Sequence, residues 1–105
     1  GMGPRPLVVS VPRGVLSVSA FKCTNLVVKC HSTKSLLIND CYSVTVELFH
    51  LSPIELPFAS WDHSTSCILL LKDQGVTVSD LHTQCVAISS SGVQVIDAWG
   101  DVLTV

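Results

Sequence analysis

The sequence predicts an all-β domain, in its simplest form an antiparallel β-sandwich or barrel of about ten short strands. Short apolar runs recur every 8 to 11 residues, and turn-forming residues separate them. Valine, isoleucine and threonine account for 28 of the 105 residues, and these β-branched side chains fit a pleated sheet. No window of the sequence has apolar residues at helical spacing.

Ten apolar runs are predicted to be strands. Val44, Val46 and Leu48 alternate with polar residues, which is typical of a half-buried antiparallel strand. Residues 36–38 and 68–71 are continuously apolar, which predicts central strands covered on both faces. In chain order the ten runs are Leu7–Val11, Val15–Phe21, Asn25–Cys30, Ser35–Asn39, Ser43–Phe49, Cys67–Leu71, Val76–Asp80, Gln84–Ser89, Val93–Ile96 and Val102–Val105.

The turns between the runs favour hairpins. Residues 72–75 and 89–92 are four-residue connections that end in glycine, which suits a type I turn followed by a left-handed residue. Residues 98–101 form a similar turn, and Pro12-Arg13-Gly14 combines a fixed φ with a residue that tolerates positive φ. Hairpin-length turns, and the two- to three-fold excess of antiparallel over parallel pairs, favour the antiparallel arrangement.

A repeat of about 18 residues supports an alternative, a β-solenoid with coils of that length. Cys23 and Cys41 are 18 positions apart, as are Cys67 and Cys85, and identical residues at one coil period would stack in the interior. Residues 21–28 and 38–46 resemble coils of the right-handed β-helix of the cyclase-associated-protein and tubulin-cofactor-C group. The Gln-X-Arg motif of the cofactor-C branch is absent, and no membership is inferred.

The chain is predicted to be a single all-β domain over residues 1–105. Residues 1–6 are interpreted as a tag remnant and an N-terminal arm. Residues 50–66 contain Pro53 and Pro57 and are predicted to be a crossover loop between two five-strand halves, with Ile54–Leu56 as a possible edge strand.

Composition excludes several function classes. Charged residues make up 13% of the chain, about half the usual share, and the net charge of −2 is spread without runs. The sequence has no basic patch of the kind that binds nucleic acid, and it has no apolar run long enough to span a membrane. An odd number of cysteines, five, and the absence of a glycosylation sequon favour free thiols in a cytoplasmic or otherwise intracellular setting.

The histidines and cysteines do not form a recognisable reactive site. His63 and Cys67, and likewise His82 and Cys85, come nearest to the ligand spacing of a zinc site. Turn histidines that precede buried cysteines are the simpler interpretation. None of the cysteines has the sequence signature of a nucleophile. With 14 serines in the chain, a serine near a histidine is expected by chance.

Three aspartates, Asp62, Asp80 and Asp97, occupy equivalent repeat positions and are interpreted as turn caps. A carboxylate ladder for Ca²⁺ would need further oxygen ligands that the neighbouring positions lack. We therefore predict no catalytic residue, no metal ligand and no cofactor.

The candidate binding residues are Phe58, Trp61, His63 and Trp99, because loop aromatic side chains are enriched where proteins contact partners. Low charge and high apolar content predict a protein partner or a homo-oligomer. The function expected is a non-catalytic interaction or assembly module that uses a strand edge or this aromatic loop patch. The alternatives are a β-barrel that binds a small apolar ligand and a small hydrolase dependent on Cys or Ser.

Overall fold

A computed structural model describes residues 5–31, 35–49, 57–89 and 92–104, and of residues 57, 58, 88, 89 and 104 it describes only the backbone. These residues confirm the all-β prediction, because they form eleven strands and no helix. The strands are β1 (Leu7–Val11), β2 (Ser17–Phe21), β3 (Thr24–Cys30), β4 (Ser35–Asn39), β5 (Tyr42–Leu48), β6 (Pro57–Asp62), β7 (Cys67–Leu71), β8 (Val76–Leu81), β9 (Gln84–Ser89), β10 (Gly92–Asp97) and β11 (Val102–Thr104).

The first seven strands alternate between two sheets. Sheet A has the order β1-β3-β5-β7-β8, and sheet B has the order β11-β10-β9-β6-β4-β2. One pass of the chain through a strand of sheet A and the next strand of sheet B is called a coil below. Successive coils pair in parallel: Leu26 of β3 lies beside Val44 of β5, and Ser17 of β2 lies beside Ser35 of β4, in each case 18 positions apart. The following coil is longer, since Thr45 pairs with Ile68, 23 positions on.

The prediction of antiparallel sheets was wrong, because both sheets are mixed. Among the described strands, five pairs are parallel and four are antiparallel. The predicted hairpin connections do lie between antiparallel neighbours, since β7 pairs with β8, β9 with β10 and β10 with β11 in this way, but all three pairs lie in the second half of the chain. In the first half, Gly14 lies between β1 and β2, which belong to different sheets.

Residues with left-handed backbone conformation form the corners that lead from sheet B back to sheet A. At three successive corners they occur in pairs three residues apart, Lys22 and Asn25, Asp40 and Ser43, and His63 and Ser66, all with φ between 48° and 57°. Backbone hydrogen bonds connect one corner to the next: the Tyr42 amide donates to the Cys23 carbonyl, and the Thr65 amide donates to the Cys41 carbonyl, both over 2.9 Å. Each left-handed residue other than glycine costs about 1 kcal/mol, so these bonds and the packing below them hold the corners in place.

The core lies between the sheets and consists of stacked inward-facing side chains. Val28, Val46 and Leu69 occupy the same register position in β3, β5 and β7, and each is buried. On the opposite side Ile38 of β4 pairs with Trp61 of β6, and both belong to the same buried cluster. Fully burying side chains of this size stabilises a fold by roughly 1.5–3 kcal/mol each.

Two details differ from the expectation for this core. The run 36–38 is not covered on both faces, because Leu37 points outward and is 44% exposed. The segment 50–66, expected to be a crossover loop, contains the strand β6. Proline is tolerated as the first residue of a strand, and Pro57 holds that position. The possible edge strand Ile54–Leu56 and residues 1–4 of the predicted tag and arm lie outside the described residues.

The left-handed corners predict that Ser66→Gly stabilises the protein. Ser66 is exposed with φ of 55°, a conformation that glycine adopts without the steric cost of a Cβ atom. We expect the free energy of unfolding in urea to rise by about 0.5–1 kcal/mol. Ser66→Ala is the matched control, since alanine keeps the Cβ atom and should not stabilise. A stabilisation by alanine equal to that by glycine would contradict this explanation.

Candidate functional site

The structure separates the aromatic residues that the sequence grouped into one patch. Trp61 is 1% exposed, because its register beside Ile38 directs it into the core, so it offers no surface to a partner. Trp99 is 83% exposed in the turn after β10, where its amide donates to Asp97 Oδ1 over 2.9 Å. His63 is exposed at a corner, with Nδ1 3.1 Å from Asp62 Oδ1. The side chain of Phe58 lies outside the described residues.

A serine and a cysteine lie together in a groove that has no histidine among its described residues. Ser60 Oγ lies 3.8 Å from Cys85 Sγ on the outer face of sheet B. Both line a surface groove of about 240 Å³ together with Asp62 and Asp97, but none of the described lining residues is a histidine. A nucleophilic serine or cysteine needs a base within hydrogen-bond reach, so this groove does not favour the hydrolase alternative.

His63 and Cys67, one of the two pairs with zinc-like spacing, do not converge. Cys67 faces the core and is 0% exposed, whereas His63 projects from the surface. Cys85 lies on β9 of sheet B, so it does not stack on Cys67 of sheet A despite the spacing of 18. Within the described ranges, no group of three or more potential metal ligands comes together.

Asp97 behaves as the turn cap that its position predicts. Its Oδ1 atom accepts hydrogen bonds of 2.9 Å from the amides of both Trp99 and Asp101. This carboxylate thereby organises the turn between β10 and β11.

Thiols line the inside of the corners. The side chains of Cys23, Cys41 and Ser64 occupy equivalent positions and donate to carbonyls two residues earlier, over 3.5, 3.3 and 3.0 Å. Burial raises the pKa of the Cys41 thiol, and the neighbouring Cys23 thiol raises it further. Burial likewise raises the pKa of Cys67, with a smaller contribution from Cys41. These two buried thiols therefore stay protonated at neutral pH.

The first coil, formed by β1 and β2, leaves inward-facing side chains uncovered. Leu7 and Val9 stand in register with Leu26 and Val28, which are 8% and 3% exposed. Leu7 itself is 67% exposed and Val9 is 40% exposed. The same columns of side chains are thus buried in the second coil and open to solvent in the first. We call this surface of β1 and β2 the open end.

The backbone at the open end is also available for pairing. Within the described part of the chain, no strand pairs with the outer edge of β1 or of β2, since these two strands end sheets A and B. The sequence of β1, Leu-Val-Val-Ser-Val, has no charge or proline, the residues by which proteins usually protect an edge strand. Leu16 and Phe21 add apolar side chains that are 63% and 59% exposed.

Charge separates the two ends of the molecule. All eight acidic residues lie at Asp40 or later, whereas five of the six basic residues come before it. Arg5, Arg13 and Lys22 are exposed on the segments that flank the strands of the open end. The other end of the sheets, β8 and β11, is called the far end, and the acidic residues of the turns and strands around it are Asp73, Asp80, Asp97 and Asp101. Lys72 is a base in the same region, and its charge is paired with Glu47 over 3.4 Å.

Sequence reasoning missed this site, although one signal for it was present. The net charge of −2 conceals a basic first third and an acidic remainder, which the order of charges along the chain reveals. The exposure of Leu7 and Val9 could not be predicted from the sequence, because it depends on which strand lies at the edge of the sheet.

Comparisons with protein-family models, with curated proteins and with solved structures found no match to this chain. None of the described residues belongs to a helix long and apolar enough to cross a membrane.

The raised thiol pKa values predict a loss of stability at alkaline pH. Above the ordinary thiol pKa of about 8.5 the unfolded chain loses protons that the folded protein retains, so the free energy of unfolding falls as pH rises. Cys67→Ala should lower stability at pH 7 but make this fall less steep, by up to about 1.4 kcal/mol per pH unit for one thiol.

Urea unfolding between pH 7.5 and 10.5 measures this slope. Leu69→Ala is the control, because it removes core packing but no titrating group, and it should keep the steep fall of the unchanged protein. Equal slopes for Cys67→Ala and Leu69→Ala would refute the assignment.

Proposed function

We propose that this protein is a non-catalytic assembly module whose open end accepts another strand edge. The observation that carries the proposal is the exposure of Leu7 and Val9, whose register partners in the next coil are buried. A strand added beside β1 would cover both side chains and satisfy the free backbone groups of the edge at once.

The winding of the first seven strands supports this mode of assembly. We infer that these strands form a short β-solenoid, which the hairpins of β8 to β11 follow. Solenoid proteins need terminal caps with a polar outer face, because each coil buries its apolar side chains only against its neighbours. The open end has an apolar face instead of such a cap, and this favours a partner that continues the stack.

The partner that the charges favour is the far end of a second copy. The basic residues near the open end, Arg5, Arg13 and Lys22, would approach acidic residues around β8 and β11 of the neighbour. Sheet A would continue from β1 to β8 of the copy, and sheet B from β2 to β11. Such a head-to-tail contact is heterologous, so it leaves each copy with a free end and builds a linear series.

The far end offers matching surface for this contact. Val102 and Leu103 of the edge strand β11 are 56% and 66% exposed. Within the described ranges, β11 and β8 each end their sheet, and sheet B has one strand more than sheet A, so we expect β11 to make the first contact with the neighbour. Complementary charge directs the orientation of the two copies, and burial of the apolar edges supplies most of the affinity.

Variants that block one end test this orientation. Leu7→Glu places an acid at the open end, where it would repel the acidic far end, and Leu103→Lys places a base at the far end. We expect sedimentation equilibrium to show a concentration-dependent series for the unchanged protein and a monomer for each variant, with association at least tenfold weaker. An equimolar mixture of the variants should associate again, because the intact open end of one variant then meets the intact far end of the other.

The control is Leu37→Glu, which changes a half-exposed leucine on the outer face of an inner strand and should leave association unchanged. Dimers of Leu103→Lys alone would show pairing of two open ends and overturn the head-to-tail arrangement. An unchanged protein that stays monomeric at millimolar concentration would overturn the assembly proposal itself. Circular dichroism checks that every variant retains the β fold.

A further inference from the structure

We infer that Cys23 and Cys41 are a modification site at which an external disulfide reagent produces a reversible bridge between the first two coils. This inference rests on the corner geometry and does not depend on self-association. Both cysteines are free thiols in this structure.

The backbone places the two cysteines side by side. Thr24 and Tyr42 are register partners in β3 and β5, and Cys23 and Cys41 directly precede them. The Tyr42 amide donates to the Cys23 carbonyl over 2.9 Å, which fixes the two chains at the spacing of neighbouring strands. Neighbouring strands run about 4.8 Å apart, and disulfides join Cα atoms about 4.4–6.8 Å apart. The spacing of neighbouring strands therefore lies within the Cα range of a disulfide.

The sulfur atoms are directed towards the same space. Cys41 Sγ lies 3.3 Å from the Asn39 carbonyl of its own coil and 3.5 Å from the Ala20 carbonyl of the first coil. Cys23 Sγ lies 3.5 Å from the carbonyl of Phe21, the residue next to Ala20. The two thiols are near enough to affect each other electrostatically. Side-chain rotation is the main movement that the bond requires.

Exposure determines the order of the chemical steps. Cys23 is partly exposed at the corner of the first coil, whereas Cys41 is only 3% exposed beneath it. The Cys23 thiolate attacks one sulfur of oxidised glutathione, forms a mixed disulfide and expels one glutathione thiolate. At the mildly alkaline pH of the reaction a fraction of Cys41 loses its proton to solvent, and this thiolate attacks the Cys23 sulfur and expels the second glutathione as a thiolate, which takes up a proton. Two protein thiols lose two electrons and two protons, and two molecules of reduced glutathione form.

The other thiols do not have this combination of neighbour and access. Cys30 and Cys67 are 0% exposed, so a reagent in solution does not reach them in the folded protein. Cys85 is partly exposed, but it lies on β9 beside Ser60, on the outer face of sheet B. The expected product is therefore a single bridge within the protein, between Cys23 and Cys41.

The bridge would close a loop between the first two coils. Such a crosslink restricts the unfolded chain, and we expect the Tm to rise by about 5–15 °C in a domain of this size. The bridge also attaches the corner between β2 and β3, next to the open end, to the coil below it.

The test incubates the folded protein with oxidised glutathione, then unfolds and alkylates it and measures the intact mass. We expect Cys23 and Cys41 to escape alkylation and to carry no glutathione, any retained glutathione to be on Cys85, and a Tm that dithiothreitol returns to the reduced value. Tryptic cleavage after Lys22, Lys29, Lys34 and Lys72 should give a linked pair of peptides, 23–29 and 35–72. Peptide 35–72 contains both Cys41 and Cys67. Cys67→Ser distinguishes them, because a bridge from Cys23 to Cys41 should still form in this variant.

Cys23→Ser and Cys41→Ser should each abolish the bridge and the rise in Tm, whereas Cys85→Ser should keep both. Five alkylated thiols after treatment would overturn the inference, and so would a stable glutathione adduct on Cys23 or a bridge to any other cysteine. Because Cys23 is only partly buried, we expect Cys23→Ser to retain the fold, and circular dichroism checks this.

Discussion

The backbone ladder between successive coils is the interaction on which the rest of this structure depends. Parallel pairing in register places equivalent residues of neighbouring coils directly over one another, as with Val28 and Val46. The corners keep that register because each has two left-handed residues three positions apart and is hydrogen-bonded to the next corner through the backbone. A shift of one residue would turn the buried columns towards solvent, so the register and the core stabilise each other.

The same stacking accounts for the two unusual features of the molecule. A column of inward-facing side chains is buried only where another coil covers it, so the column that ends at Leu7 and Val9 is open to solvent. A column of cysteines at one corner brings Cys23 beside Cys41. The first feature favours assembly through strand edges, and the second favours reversible crosslinking of the coils. Both arise from one register and need no dedicated active site.

Much of the fold could be predicted from the sequence, because alternation and β-branched residues mark strands locally. The run Leu7–Val11 matches β1, and the other runs match their strands to within about two residues. Strand β6 was missed because the nearby prolines indicated a loop. The pairing of strands was harder: the spacing of Cys23 and Cys41 reflects true stacking, while the equal spacing of Cys67 and Cys85 joins residues of different sheets. The left-handed corners at Lys22 and Ser43 could not be predicted, because no glycine marks these positions in the sequence.

The strand edge could be anticipated as a class of site, but its location could not, since Trp61 and Trp99 look alike in sequence and differ completely in exposure.

The central claim is the parallel register, and backbone nuclear Overhauser effects test it most directly. Parallel stacking predicts cross-strand effects between Ala20 and Ile38 and between Val28 and Val46, residues 18 positions apart. Effects that instead pair Thr24–Cys30 with Ser35–Asn39 as an antiparallel hairpin would contradict it.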